Sequence, residues 1–303
     1  MKKILIILST YNGSKYLDQQ LQSIYMQKTD CKINLLVRDD GSEDSTLKIL
    51  NRWSKNLDIK FIEDNDQLGA AKSFWKLINL VNDADYYAFV DQDDIWEPDK
   101  IDTAVKALGN NNFPQLWCSN CSLIDSDGNV IKEKMHVKRP ELTVISQIVC
   151  GSIQGCSMIF NKATMKAVKK KSISEIPMHD IVFLTYTLAE GEVIFEERPM
   201  FKYRLHKNNV VAKSGKGIVK QIKITLQNWF GKQTKNSISN YSKEFVRNEK
   251  QMLEDEVANL LLSLGNRKKK LIQKIWIIRH PLVITTNKRG LRSFRIRVLL
   301  GII

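Results

Sequence analysis

Four times in the first 94 residues a short apolar run ends in a polar cluster, and three of those clusters open into a helical pattern. KILIIL (3–8) is followed by Ser9-Thr10-Tyr11-Asn12-Gly13 and then by Ser14 to Gln27, where Leu17, Leu21 and Ile24 recur at helical spacing. INLLVRDD (33–40) gives way to Gly41-Ser42 and a helix-like stretch from Glu43 to Ser54, with Leu47, Ile49 and Leu50 apolar. IKFIED (59–64) precedes a helix over 70–81, and YYAFV (86–90) runs straight into Asp91-Gln92-Asp93-Asp94. Strands joined through helices in this way run parallel and are covered by helices on both sides. The alternation therefore predicts an α/β fold with a mostly parallel central sheet and helices on both faces.

In such sheets ligands bind beyond the carboxyl ends of the strands, which is where the polar clusters fall. The third strand contributes Glu63-Asp64-Asn65-Asp66 and then Gln67-Leu68-Gly69. Asp, Asn, Ser and Gly also make ordinary turns and helix caps, and Asp44-Ser45 reads equally well as the start of a helix. The D-x-D-D cluster is different, because three carboxylates within four residues repel one another at the end of a fully apolar strand. It has three readings: a divalent-cation site, a solvated acidic loop, or a nucleophile–acid pair. The apolar strand before it aims the acids, which favours Mg²⁺ or Mn²⁺ on hard carboxylate oxygens. Mg²⁺ is usually shared with substrate phosphates, so a cation here implies a phosphorylated ligand such as a nucleotide. Asp39 or Asp40 on the neighbouring strand would then accept from a base N–H or a ribose hydroxyl.

Beyond residue 110 the pattern changes. LWCSNCSLID (116–125) and VIKEKM flank Ser126-Asp127-Gly128-Asn129 and predict a hairpin. Residues 142–150 read as a helix, CSMIFN (156–161) as a strand leading into a basic helix, and Ile181 to Ala189 as another helix after Ile176-Pro177-Met178-His179-Asp180. VIFEE (193–197) and PMFKYRLH (199–206) read as two closing strands. The five cysteines, an odd number with no export signal, predict reduced thiols in the cytoplasm. Cys118-x-x-Cys121 lacks a second pair and a nearby His, so it reads as buried strand cysteines and not as zinc ligands. MKKILIILST is too short for a signal peptide and reads as the first strand, and no run is long enough to span a bilayer.

The ordered set STYNG, RDDGS, N-x-x-x-G-A-A-K and DQDD resembles the inverting family 2 glycosyltransferases, which have the GT-A nucleotide-diphospho-sugar transferase fold. DQDDIW and the later YRxHxxN are most similar to the rhamnosyltransferase-like branch. The resemblance covers residues 1–210 and implies a catalytic domain there, with 211–303 as a basic, mainly helical extension. It implies that Thr10, Tyr11 and Asn12 line the nucleotide pocket, that Asp40 or Asp39 reads a uracil or thymine base, and that Lys72 lies near the diphosphate. Asp91 would face the ribose, Asp93 would bind Mg²⁺ or Mn²⁺, and His206 and Asn209 would approach the metal or diphosphate. The general base of such enzymes is a carboxylate at a helix start, often in a Glu-Asp pair; here His179-Asp180 stands there, and the role passes to Asp180. Without the resemblance, Asp180 reads as a helix cap, Trp96 as either a sugar platform or a packing residue, and Arg38 as a counter-charge for its acidic neighbours.

The formal net charge of +14 is unevenly placed: Lys202 to Ile303 holds 23 Lys and Arg against 5 Asp and Glu. Such a tail implies a polyanionic partner, nucleic acid or an anionic membrane face. Trp229-Phe230, Arg267-Lys268-Lys269-Lys270, Trp276-Ile277-Ile278 and an apolar face of Leu291, Phe294 and Val298 flanked by Arg292 and Arg295 favour the membrane. The expected protein is therefore cytoplasmic and peripheral at the inner membrane face, and moves a sugar from a dTDP- or UDP-sugar to a lipid-linked or glycan acceptor. Two other readings stand beside it. A sugar-nucleotide pyrophosphorylase calls for a Gly-rich basic loop after strand one, of which STYNGSKY is a poor version. A nucleic-acid-binding protein calls for a basic groove where the front of this chain is acidic.

Overall fold

The computed structural model describes residues 1–62, 66–174, 176–206, 237–266 and 268–303. Glu63, Asp64, Asn65, Asn209, Trp229, Phe230 and Arg267, all singled out by sequence, lie outside the described residues. Contacts divide the chain into two compact units, residues 1–137, 153–170 and 191–204 in the first, and 138–152, 171–190 and 205–303 in the second.

The first unit is built on one sheet. Strands β1 (Lys3–Thr10), β2 (Lys32–Asp39), β3 (Asp58–Ile62) and β4 (Tyr86–Val90) are parallel in the order β3-β2-β1-β4, joined by α1 (Leu17–Tyr25), α2 (Thr46–Trp53) and α3 (Ala70–Leu80). The β-branched run of β1 is buried from Ile4 to Leu8, and all five residues of β4 are buried. Burial of successive residues, which point to opposite faces, requires cover on both sides of the sheet. Helices α1 to α3 present apolar faces at helical spacing for that purpose, Leu17, Leu21 and Ile24 in α1 and Phe74, Leu77 and Ile78 in α3.

Past β4 the chain forms β5 (Ile95–Trp96), α4 (Lys100–Leu108), β6 (Gln115–Ile124), β7 (Val130–Lys132), β8 (Ile159–Asn161), α6 (Lys162–Lys169) and β9 (Glu192–Arg204). The sheet continues β4-β8-β6-β9-β5, with β7 hairpinned onto β6 as the sequence predicts. Pairings β4–β8, β6–β8 and β5–β9 are antiparallel, and β6–β9 is parallel. Flat, β4 and β5 would lie four strand spacings apart, about 19 Å. Only Asp91 to Asp94 connect them, a link that spans at most about 17 Å when fully extended. The sheet therefore curls, and the acidic cluster is a tight bridge between two strands of one sheet. The two closing strands read from the sequence are a single strand, β9. Its register against β6 jumps from Ser119↔Glu196 to Asn120↔Pro199, a bulge placed where Pro199 has no N–H to give.

The second unit is helical: α5 (Val144–Cys150), α7 (His179–Glu190), α8 (Ser237–Glu249), α9 (Asp255–Gly265), α10 (Leu271–Arg279) and α11 (Lys288–Leu299). A capping box closes the start of α5, with Thr143 and Ser146 each accepting from the other's main-chain N–H. Tyr186 of α7 packs on Phe245 of α8 at 4.9 Å between rings, and the hydroxyls of Thr185 and Tyr241 bond at 2.6 Å. In α11 the Leu291–Phe294–Val298 face expected to meet a membrane is not available for it. Phe294 and Val298 are completely buried, because the unit needs them as core.

Candidate active site

The loops after β1 and β2 are stitched together by main-chain groups. Asn12 N–H donates to Ser42 Oγ (2.8 Å), Gly13 N–H to Thr46 Oγ1 (2.8 Å) and Ser14 N–H to Asp44 Oδ2 (3.0 Å), while Glu43 N–H donates to Asn12 Oδ1 (2.9 Å). Asn12 sits at φ 46°, a left-handed conformation that Asn tolerates because its side chain bonds locally. Asp44 does more than start α2: against the cost of burial, its bonds from Ser14 and Thr46 hold its carboxyl down to about 2. Thr10, buried at the end of β1, donates to Asp39 Oδ1 at 2.6 Å, and Ser42 donates its N–H and hydroxyl to the same carboxylate at 2.7 Å each. Thr10, Asn12 and Asp39 thus form one connected loop pair, with Tyr11 half-exposed on its surface.

Asp40 has its own counter-ion. The fully buried Arg38 guanidinium pairs with Asp40 and also donates to Ser73 Oγ (2.8 Å) and to the Asp66 carbonyl. Asp40 Oδ1 accepts from Leu68 N–H and Oδ2 from Gly69 N–H, both at 2.8 Å. Gly69 adopts φ 73° as the residue before α3, so both Asp40 oxygens are used to seat that helix. Lys72 is exposed on the first turn of α3. Arg38 is the counter-charge its sequence neighbours call for, and it serves Asp40.

The acidic bridge is held from three sides. Gln92 Oε1 accepts from Tyr11 N–H and Gln92 Nε2 donates to Tyr11 C=O, each at 2.9 Å, so the side chain imitates a paired strand. Gly13 leaves room for it, since a Cβ there would lie 2.2 Å from Gln92 Oε1 and push that side chain aside. From β9, Arg204 donates its N–H to Asp94 Oδ1 (3.2 Å) and its Nε to the Asp93 carbonyl (2.9 Å). The same buried guanidinium reaches Gln19 Oε1 at 2.8 Å and covers the Tyr16 ring at 4.5 Å. From α4, the fully buried Lys100 donates to the Cys156 carbonyl at 2.6 Å and lies 4.1 Å over the Trp96 ring and 4.6 Å over Phe201. Trp96 is therefore a buried packing partner for an ammonium and not a sugar platform.

Electrostatics divide the acids. Asp91 and Asp93 are half-buried, whereas Asp94 is fully buried and its Oδ2 has no hydrogen-bond donor. Burial, then the charges of Asp93 and Asp91, push the Asp94 carboxyl well above the usual carboxylate range. Burial pulls the Lys100 ammonium down to about 8, against the attraction of Asp94 and Asp91. Among the described residues, Asp91, Asp94 and Cys156 offer ligand atoms all within 4.8 Å of one another. Burial pushes the Cys156 thiol well above its usual value, as it does the Asp94 carboxyl, so each must give up a proton before it can hold a cation. The cluster thus offers two carboxylates and a thiol, and Asp93 is not part of it; the cluster's carboxylate oxygens are of the kind that Mg²⁺ or Mn²⁺ takes. Cys118 and Cys121 are buried thiols in β6, as the sequence predicts.

His179 and Asp180 begin α7 in the second unit. Asp180 is half-buried in the first turn, with Oδ1 accepting from Ile181 N–H at 2.7 Å. His179 is buried, and burial lowers its imidazole to about 3, so it stands neutral inside this unit. His206, half-buried, follows β9. Sequence reasoning missed Gln92, Lys100, Arg204 and the placement of Asp94. The signal for Lys100 was an isolated basic residue six positions after the last acid of the cluster; Arg204 lies in the YRxHxxN motif, but nothing local shows that it acts across 110 residues.

The chain matches the model of glycosyl transferase family 2 over residues 5–176. It is 30% identical over 288 residues to the dTDP-rhamnosyl transferase RfbG of Shigella flexneri, covering 89% of this chain and 97% of that protein. The structure of S. aureus TarS 1–349, in complex with UDP-GlcNAc, superimposes with a TM-score of 0.58 at 14% identity, over 99% of this chain and 91% of that one. The mannosyltransferase PcManGT of Pyrobaculum calidifontis, in complex with GDP-Man and Mn²⁺, gives 0.52 at 15% identity, over 98% and 87%. These two likenesses concern the fold, and the family match and the 30% relative agree with it. With parallel strands delivering Thr10, Asp39 and the Asp91–Asp94 bridge to one edge of a curled sheet, this chain belongs to glycosyl transferase family 2, as a glycosyltransferase of GT-A fold.

Proposed function

We propose that the protein transfers a sugar, rhamnose first among the candidates, from a dTDP- or UDP-sugar to a hydroxyl of a lipid-linked or polysaccharide acceptor, with inversion. The observation that carries this is the acidic bridge: three acidic residues after β4, with Gln92 clamped to Tyr11 and Arg204 bonded to the Asp93 carbonyl and the Asp94 carboxyl, beside the Thr10–Asp39 loop pair. The 30% identity to a dTDP-rhamnosyl transferase over nearly its whole length supports the donor class.

Thr10, Tyr11, Asn12 and Asp39 bind the nucleoside, Asp39 or Asp40 reading the base, and Lys72 attracts the diphosphate. Asp91 meets the ribose. Asp93, with His206, would hold Mg²⁺ or Mn²⁺, with Asp91 and Asp94 as its neighbours in the sequence. When bound, the cation neutralises the diphosphate leaving group. In one displacement the acceptor oxygen bonds to the anomeric carbon, the bond from that carbon to the diphosphate oxygen breaks, and Asp180 takes the acceptor proton. Residues 1–210 carry this chemistry on this reading, and 211–303 form the basic extension.

The test is transfer of sugar from dTDP- and UDP-sugars to membrane-extracted lipid-linked acceptor. Asp180→Asn should lower kcat by about two to four orders of magnitude while donor still shifts the melting temperature. Asp93→Ala should lose the metal-dependent part of that shift. Wild-type transfer rates in both variants would remove the mechanism.

A further inference from the structure

We infer that α10, with the end of α11, forms a docking surface for an anionic lipid bilayer. Helix α10 is apolar nearly all round, yet it is not enclosed. Ile277 faces inward at zero exposure, while Leu271, Ile272, Ile275 and Trp276 face solvent, Ile272 at 80% and Trp276 at 44%. These four fall at positions i, i+1, i+4 and i+5, a single stripe along the helix. Lys274 Nζ, donating to the Leu299 carbonyl at 2.9 Å, ties α10 to the end of α11, where Leu299 and Leu300 are exposed as well. The inward faces of both helices are already satisfied by Ile277, Phe294 and Val298. The outward apolar stripe of α10 is therefore surplus to the core, and exposed apolar surface of this kind marks an interaction site.

Charge selects the occupant. From Lys268 to Ile303 the chain carries ten Lys and Arg and no Asp or Glu. A second copy would bring the same positive field and be repelled. Nucleic acid would satisfy the cations but offers nothing to a stripe of Leu and Ile. An anionic bilayer satisfies both: headgroups meet Lys268, Lys270 and Arg279 around the stripe, and the apolar side chains enter the acyl boundary with Trp276 at the interface. This surface differs from the one the sequence pattern suggests on α11, whose Phe294 and Val298 are core. It does not depend on which sugar is transferred.

The experiment uses the full chain and flotation with vesicles of phosphatidylcholine alone or mixed with phosphatidylglycerol. The chain should float only with the anionic vesicles, and quenching by brominated lipid should be largely lost in Trp276→Phe. Ile272→Glu, at an exposed position that leaves the melting temperature unchanged, should reduce binding about tenfold or more, and Lys270→Glu by about tenfold. Three results would overturn the proposal: unchanged flotation of Ile272→Glu, equal binding to neutral vesicles, or no flotation together with a lipid-free dimer that Ile272→Glu dissociates.

Discussion

Gln92 and Tyr11 are paired as though they were neighbours in a β-ladder: the amide of one side chain satisfies both main-chain groups of the other residue at 2.9 Å. The β1 loop and the acidic bridge are therefore tied by two hydrogen bonds, and Gly13 leaves the space that lets Gln92 lie there.

Removing the clamp should loosen both loops together. Gln92→Ala is expected to cost about 1–2 kcal/mol, from two lost hydrogen bonds and two main-chain groups returned to water, and to weaken nucleotide binding more than it lowers kcat. Gly13→Ala should displace the same side chain. The double variant should then be clearly less destabilised than the sum of the two singles, which a double-mutant cycle by urea unfolding measures. Additive costs would mean that Gly13 and Gln92 act separately.

Arg38→Met should be among the costlier single changes in the first unit. It strands the Asp40 carboxylate and leaves the Asp66 carbonyl and Ser73 without their buried donor, an expected loss of about 3 kcal/mol. Arg38→Lys should recover little of it, because an ammonium cannot reproduce the fork that serves three acceptors. Chemical denaturation of both variants decides this.

Lys100 places a positive charge behind the acids, so it competes with a bound cation. Lys100→Met is expected to bind Mn²⁺ on the order of tenfold more tightly than wild type, as the repulsion across a partly buried site is lost. The melting temperature should fall at the same time, because the Cys156 carbonyl loses its donor and the ring contacts with Trp96 and Phe201 disappear. Calorimetric titration of Mn²⁺ gives the sign directly; weaker binding would show that Lys100 only shapes the loop. In the sugar-transfer assay, chelation should abolish transfer, and added Mn²⁺ or Mg²⁺ should restore it.

His179 makes stability depend on pH in a stated direction. Burial lowers its imidazole from the ordinary 6.5 to about 3, so between these values the unfolded chain binds more protons than the folded one. Stability from this group is complete above about pH 6.5 and is lost as the pH falls toward 3, with a slope of up to about 1.4 kcal/mol per pH unit. Glu249 is raised to about 7, by burial first, and works the opposite way from 4.5 upward. The diagnostic is therefore the difference between wild type and His179→Asn, which should shrink steadily as the pH is lowered. A difference that stays flat would place the imidazole in water.

The second unit also holds a buried ion bridge, with Lys171 between Glu190 and Glu249 and its ammonium over the Tyr186 ring. Lys171→Met leaves two carboxylates facing each other beneath α8, with Glu249 almost fully enclosed. An expected loss of about 3 kcal/mol follows. Glu249→Gln in the same background should recover part of it, and thermal melts of the two variants check the order.

Much of this protein is written locally. Apolar runs with β-branched residues, helical spacing in Leu17, Leu21 and Ile24, and polar clusters after each strand are short-range patterns. Burial of every residue from Ile4 to Leu8 and from Tyr86 to Val90 is what those patterns require. The parallel sheet, the hairpin of β6 and β7, and the edge at which the polar clusters sit were thus determined by the sequence itself. What it left open is whatever depends on residues far apart in the chain. Asp94 and Asp93 are neighbours with the same side chain, yet one is sealed and the other half-open, because Arg204 arrives from 110 positions away. Phe294 and Val298 look like a membrane face until the helical unit uses them as core, and only then does the stripe from Leu271 to Trp276 stand exposed. Periodicity says that a helix has an apolar face; which partner covers that face is settled by packing alone, since burial energy depends on area removed from water and not on which element removes it.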